Sequence, residues 1–219
     1  MEEEAKIVYT PSHLHIPPDN QVFPLDLNHD GRNDFSFDNA SFQCHGTCGG
    51  GIGVSPLRKG NEVWGQHYFA SALPPGVRIG GRGHSNFSQR AGYMADFNTY
   101  DGVYHFKGQW ANDGKGVKNR YLGLKFQVNG KTHFGWARLN VAFKPHLGFF
   151  AVLTGYAYET IANKPIIAGK TKGPDDASVG ESNTVLTVPT PEPATLGVLA
   201  LGSPRMSIWR REESAVAAR

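Results

Sequence analysis

The chain has 219 residues, a formal net charge of +3 and 39% hydrophobic residues. That is long enough for one domain with a sizeable core and too apolar for wholesale disorder. Basic residues are scattered except near the C-terminus, so the charge pattern gives no support for nucleic-acid binding. With 27 glycines, 14 prolines and 11% aromatics, the composition predicts many short strands joined by tight turns.

The N-terminus, Met1-Glu2-Glu3-Glu4, is acidic and runs straight into a strand-like segment, residues 5–10. An export signal needs a basic start and an apolar h-region. If the protein is exported, its true start is therefore expected upstream of Met1. His13 and His15 sit two apart and would share one face of a strand. With no identifiable third ligand, a solvated histidine pair is expected rather than a metal site.

Strands are predicted over residues 22–27 and 34–37. Between them runs Asp26-Leu27-Asn28-His29-Asp30-Gly31-Arg32-Asn33-Asp34. Side-chain oxygens fall at loop positions 1, 3, 5 and 9, with glycine at 6, and the Arg32 carbonyl would serve position 7. That is the spacing by which a tight loop surrounds a hard cation such as Ca²⁺. An EF-hand would place a bidentate Glu at position 12, where Phe37 stands, followed by Asp38. With strand-like flanks, the loop resembles the calcium loops of FG-GAP, thrombospondin type 3 and dockerin-like repeats more than a true EF-hand. Three carboxylates without the bidentate ligand imply a structural Ca²⁺ site (residues 26–38) of weak affinity, about 10⁻⁴–10⁻³ M. The competing reading is an Asx-rich turn with no metal.

Cys44 and Cys48 are the only cysteines, in Cys44-His45-Gly46-Thr47-Cys48. Three intervening residues allow a disulfide in an oxidising compartment, and this is preferred over free thiols and, last, a metal site. Such a bond would pin a glycine-rich loop, residues 46–53. Gly80-Gly81-Arg82-Gly83-His84 lacks the Lys-Ser/Thr and following helix of a phosphate-binding loop, so it reads as a turn.

Further strands are predicted over 103–108, 121–128, 131–143 and 149–160. The best defined pair is a hairpin closed by Asn129-Gly130, the strongest short turn signal. A two-residue turn puts Val128 opposite Lys131, Gly123 opposite Trp136, Leu122 opposite Ala137 and Leu124 opposite Gly135. Trp136 would then lie across Gly123 and fix the register, with Leu122 and Leu124 on the core side. The fold expected is all-β, an antiparallel β-sandwich or jelly roll over residues 1–168.

No nucleophile-elbow or zinc-protease motif is present. Glu62, Asp96, Asp101 and Glu159 could contribute to a glycosidase carboxylate pair, which sequence cannot place at the needed separation. Trp64, Trp110, Trp136 and Tyr104 could form a sugar-stacking platform, although core packing is the commoner fate of such residues.

After Ala168 the composition turns to Gly, Lys, Ser, Thr and Pro, so residues 169–190 read as a flexible linker. The tail, residues 191–219, holds Pro191-Glu192-Pro193, an apolar run from Ala194 to Gly202 expected to form a short hydrophobic helix, and Trp209-Arg210-Arg211. At 1.5 Å per residue that run spans only about 14 Å of a hydrocarbon core roughly 30 Å thick, and Ser203-Pro204-Arg205 interrupts it. A hydrophobic stretch closed by basic residues can still enter a bilayer and stop there.

This order of Pro-Glu-Pro, apolar run and basic residues resembles the PEP-CTERM sorting signal of Gram-negative bacteria. The domain itself resembles one recurrent among PEP-CTERM proteins, through Tyr121-Leu122-Gly123-Leu124-Lys125-Phe126, Phe134-Gly135-Trp136-Ala137-Arg138-Leu139 and Leu153-Thr154-Gly155-Tyr156-Ala157-Tyr158-Glu159-Thr160. The resemblance implies export and an exosortase-type membrane protein as partner. It also implies an anchor through the tail and a place at the cell surface or in an exopolysaccharide matrix. It carries no catalytic residue, and the expectation is a non-enzymatic structural or adhesive protein. A carbohydrate-binding module is the alternative, and a polysaccharide-active hydrolase a more distant one.

Overall fold

The described residues form fourteen strands, beginning with β1 (Ile7–Ile16), β2 (Val22–Leu25), β3 (Phe35–Phe42), β4 (Gly49–Pro56) and β5 (Glu62–Gln66). The short strands β6 (Phe69–Ala70), β7 (Arg78–Ile79) and β8 (Phe87–Ser88) lead to β9 (Tyr93–Tyr100) and β10 (Val103–Lys107). The long β11 (Val117–Val128), β12 (Lys131–Lys144) and β13 (Gly148–Glu159) follow, and β14 (Ile166–Ile167) is the last. This computed structural model describes residues 6–42, 48–81, 86–90 and 92–173. The C-terminal segment from residue 174 on, with the expected helix, lies outside the described residues.

Twelve strands form one continuous sheet in the order β1-β13-β12-β11-β5-β6-β9-β4-β3-β2, with β10 added to β9 and β8 to β5. Apart from a single parallel contact between β6 and β9, every pairing is antiparallel. The sheet folds over on itself as an all-β sandwich. Phe35, Phe37, Ile52, Val54 and Phe97 of one half share a core with Leu122, Leu124, Phe126, Leu139, Phe149 and Leu153 of the other. Asn39 pins the halves together from inside: its amide nitrogen donates to the carbonyls of Ile16 at 2.9 Å and Phe149 at 2.8 Å. These bonds satisfy the amide nitrogen, while the buried Asn39 Oδ1 has no hydrogen-bond partner.

The β11–β12 register is the expected one: Val128 faces Lys131, Gly123 faces Trp136, Leu122 faces Ala137 and Leu124 faces Gly135. Asn129 (φ 49°) and Gly130 (φ 77°) are both left-handed, as a type I′ turn requires. The residue covering Gly123 is a correction. A Cβ there would meet Trp64 Cβ at 2.8 Å and Leu73 Cδ1 at 3.2 Å, so Trp64 and not Trp136 lies across it. Trp136 instead packs its ring edge-on against Tyr121, with centroids 5.2 Å apart.

The reason is a second core on the opposite face of β11–β13. Trp64, Leu73, Ile79, Ile166 and Ala168 cover Tyr121, Phe134 and Trp136 there. The β7–β14 pair belongs to this layer (Ile166 opposite Ile79), so the fold continues past residue 168: the amides of Ala168 and Lys170 donate to Val77 and Ile167. Strands buried on both faces lose the clean apolar–polar alternation.

The glycine-rich segment is also a correction. Residues 49–53 are not a loop but part of β4, a central strand between β3 and β9. Glycine is required there by close backbone approach. A Cβ on Gly50 would stand 2.3 Å from the Ala40 carbonyl oxygen, and one on Gly51 would stand 2.6 Å from that of Ala95.

Candidate functional site

The loop between β2 and β3 is built around Asp26. One of its carboxylate oxygens accepts the Asp30 amide at 3.2 Å and the other the Gly31 amide at 2.7 Å. His29 (φ 60°) and Gly31 (φ 80°) supply the left-handed residues that turn the chain back. Asp30 accepts the Arg32 amide at 2.9 Å and the Asn28 side-chain amide at 3.3 Å. Between these polar positions, Leu27 is buried in the core, its Cδ2 standing 2.9 Å from where a Cβ on Gly135 would lie. The alternation of Asp26, Leu27 and Asn28 thus plugs the loop into the sandwich while leaving its oxygens on one side.

Asp34 closes the loop from within. It is fully buried, and its carboxylate accepts the Leu27 amide at 3.0 Å. Buried Asn61 donates to the Asp34 carbonyl at 3.0 Å and accepts the Gln127 amide at 3.1 Å, which ties the loop to β11. Burial raises the Asp34 pKa above its ordinary 3.8. The Leu27 and Asn61 hydrogen bonds oppose that shift, and the negative charges of Asp30 and Asp26 add to it. A third tether, His29, had no role assigned from sequence. Its Nε2 lies 2.9 Å from Thr10 Oγ1 and 3.4 Å from the Tyr156 hydroxyl, fastening the loop to β1 and β13. Tyr156 and Tyr158 both have raised pKa values, chiefly from burial and also from the charge of Asp26.

Among the described residues no group of three acidic, histidine or cysteine side chains stands ready to hold a metal. The donor chemistry of the loop nevertheless suits a hard cation. An ionised carboxylate offers about four lone-pair sites, and Asp26 uses only two of them on amides. Asn28 Oδ1 is buried without a hydrogen-bond partner, an orphaned acceptor among three carboxylates. The same hydrogen bonds also make a complete Asx-type turn, so the loop is preformed whether or not an ion enters it.

The remaining sequence candidates fall as follows. Cys44 lies outside the described residues. Cys48 is half-buried at the start of β4, its carbonyl accepting the Thr99 amide at 2.7 Å. Pro191, Glu192, Pro193, Arg210 and Arg211 lie outside the described residues as well. Among the described residues no helix is long and apolar enough to cross a membrane. His13 and His15 are both exposed, with ring centroids 4.8 Å apart. Gly80 and Gly81 are left-handed turn residues, and Arg82–His84 are not described.

The tryptophan platform is not formed: Trp64, Trp110 and Trp136 are buried. The Trp110 indole donates to the Ala70 carbonyl at 3.1 Å, and the half-buried Tyr104 packs against Phe97, Phe106 and Phe143. Of the four candidate carboxylates, Glu62 pairs with Lys125 at 3.0 Å and buried Glu159 with Lys164 at 3.3 Å. Asp101 occupies the β9–β10 turn, and Asp96 lies on the outward face of β9. Comparison with known proteins adds no relative: no family model, curated protein or solved structure matches the chain.

Proposed function

We propose that this is an exported, non-enzymatic β-domain that works as a structural or adhesive component at the cell surface or in an exopolysaccharide matrix. One observation carries the reading: the ordered tail of Pro191-Glu192-Pro193, apolar run and Arg210-Arg211. It resembles a signal handled by an exosortase-type membrane protein. A hydrophobic stretch closed by arginines supports membrane delivery on general grounds. The test is subcellular fractionation of the native host. Envelope or extracellular location that is lost when Pro191-Glu192-Pro193 is replaced by alanines supports the reading. Exclusive recovery from the cytosol, with or without the replacement, overturns it.

Within this function the 26–34 loop is a structural Ca²⁺ site held by Asp26, Asn28, Asp30, the Arg32 carbonyl and Asp34. The bound ion would supply positive charge to three mutually repelling carboxylates. An oxidising location would likewise permit a Cys44–Cys48 disulfide. The carbohydrate-binding alternative finds support away from tryptophan, on the outer face of the β3–β4–β9 sheet.

A further inference from the structure

Three glycines of β4, Gly49, Gly51 and Gly53, point outward in line, because Ile52 and Val54 point into the core. Each is overlaid by a side chain from a neighbouring strand. Phe42 lies over Gly49, Asp96 Oδ1 stands 3.3 Å from where a Cβ on Gly51 would be, and both Asp38 oxygens stand 3.1 Å from that point on Gly53. The register makes this a set of rows: Phe42–Gly49–Asn98–His105, Ala40–Gly51–Asp96–Lys107 and Asp38–Gly53–Tyr93. These overlying side chains lean in over the glycines, burying Gly49 and Gly53, and form the floor of a shallow trough about 13 Å long, at roughly 3.3 Å per residue. At the Gly53 end it deepens into a cavity of about 280 Å³ lined by Asp38, Ser55, Gln89, Arg90 and Tyr93.

The chemistry of this trough differs from that of a core or an ion-pair network. Asp38 and Asp96 are both desolvated enough to have raised pKa values. Asp38 has no ion pair among the described residues and is opposed in this shift by its own backbone amide; Asp96 is opposed by the charge of Lys107 and the Phe97 backbone amide. Tyr93 is 57% exposed at the cavity wall, beside exposed Tyr68, and Phe42 is 61% exposed at the other end. Acceptors, a guanidinium donor and amphipathic aromatic faces along this shallow floor offer hydrogen bonds to many hydroxyls and apolar contact to ring C–H groups. Acid and base alternate across it (Asp38 with Arg90, Asp96 with Lys107), so the complementary ligand carries no net charge.

We propose that the trough binds a neutral polysaccharide chain along β4, with one sugar ring seated against Tyr93 and its hydroxyls donating to Asp38. This rests on the exported-surface reading for where such a polymer would be met, but on none of the residues that support that reading. The test uses the full chain in affinity gel electrophoresis against soluble β-1,4-, β-1,3- and α-1,6-glucans. At least one glucan should retard the protein. Tyr93→Ala and Asp38→Ala should each weaken that retardation at least tenfold while the melting temperature stays unchanged. His13→Ala, on β1 and outside the trough, serves as the control and should bind normally.

Failure of every glucan to retard the protein overturns the proposal. So does retardation untouched by both trough substitutions, and so does release of reducing ends from a retarding glucan, which would make the site hydrolytic. Glucan binding by a protein confined to the cytosol defeats the export reading alone. A surface protein that ignores all three glucans defeats the trough alone.

Discussion

In the 26–34 loop, each carboxylate oxygen of Asp26, Asp30 and Asp34 faces a donor, from the loop's own amides, Asn28 or Asn61. On the outer face of β4, Asp38 and Asp96 lie over glycines and make no ion pair among the described residues. Both regions hold carboxylates pushed toward the neutral form by burial, but the loop answers this with a closed set of hydrogen bonds, whereas in the trough Asp38 is opposed only by its own backbone amide and Asp96 by Lys107 and the Phe97 amide. An internally satisfied site stabilises the fold and can take an ion on its spare lone pairs. A sparsely bonded and accessible one is suited to an external hydroxyl. Substitutions in the first should therefore register in stability, and in the second in binding.

The sharpest way to break this contrast is Asn61→Ala. It strips the Gln127 amide of its acceptor and removes one of the two donors on the Asp34 carbonyl, which keeps the Leu57 amide at 2.9 Å, all at a fully buried position. Leaving one buried polar group unmet costs about 1–3 kcal/mol, so a loss of about 2 kcal/mol is expected in urea unfolding. Asp38→Ala, on the open face, should stay within about 0.5 kcal/mol of the parent. Equal effects of the two substitutions would show that the loop's hydrogen-bond closure stabilises nothing.

Calcium sharpens the comparison further. With an affinity of about 10⁻⁴–10⁻³ M, 10 mM Ca²⁺ should stabilise the domain by about 1.4–2.7 kcal/mol, since binding to the folded state alone contributes RT ln(1 + [L]/Kd). That corresponds to a rise in melting temperature of roughly 3–10 °C at this size. Asp30→Ala, at an exposed position, should abolish the rise, and Asp96→Ala in the trough should leave it intact. A melting temperature indifferent to Ca²⁺ would reduce the loop to a hydrogen-bonded turn.

Much of this architecture was legible in the sequence, where a local rule and the tertiary context agreed. Asn129-Gly130 specified the hairpin because only left-handed residues fit a type I′ turn, and the register followed by counting. The same signal at Asp101-Gly102 (φ 49° and 75°) joins β9 to β10, yet residues 93–100 were not among the expected strands. β4 was hidden for a different reason. Glycine is a poor strand former by propensity, and only the crowding of Ala40 and Ala95 backbone against Gly50 and Gly51 explains its place. Trp64 displaced Trp136 over Gly123 because the second core packs segments about 30 residues apart or more onto β11 and β12, with Trp64 itself 59 residues from Gly123, which no local pattern encodes. The loop oxygens were visible from their spacing. The roles of Asn61 and His29 were not, since each depends on partners brought in by distant strands.

Acid titration separates the loop from its surroundings. Asp34 has its folded-state pKa above 3.8, so the folded state binds the proton more tightly than the unfolded chain does. Its burial cost is fully present above the folded pKa, is relieved as pH falls through that value, and changes no further below 3.8. Without Ca²⁺, the loop's contribution to stability should therefore grow as the solution is acidified from neutral through that window. Asp34→Asn should flatten this component in a pH series of urea midpoints.

The smallest expected effect is also the most local. The charge of Asp26 helps to raise the pKa of both Tyr156 and Tyr158, after burial itself. An ion on Asp26 would cancel that charge, as would Asp26→Asn. Either change should move the phenol titration, followed by absorbance near 295 nm, to lower pH without altering the burial of the rings. Because the readout depends on charge at Asp26 and not on unfolding, it distinguishes an ion in the loop from Ca²⁺ acting elsewhere on the fold. A Ca²⁺-induced rise in melting temperature with no phenol shift, in a protein where Asp26→Asn does shift the phenols, would place the ion outside the 26–34 loop.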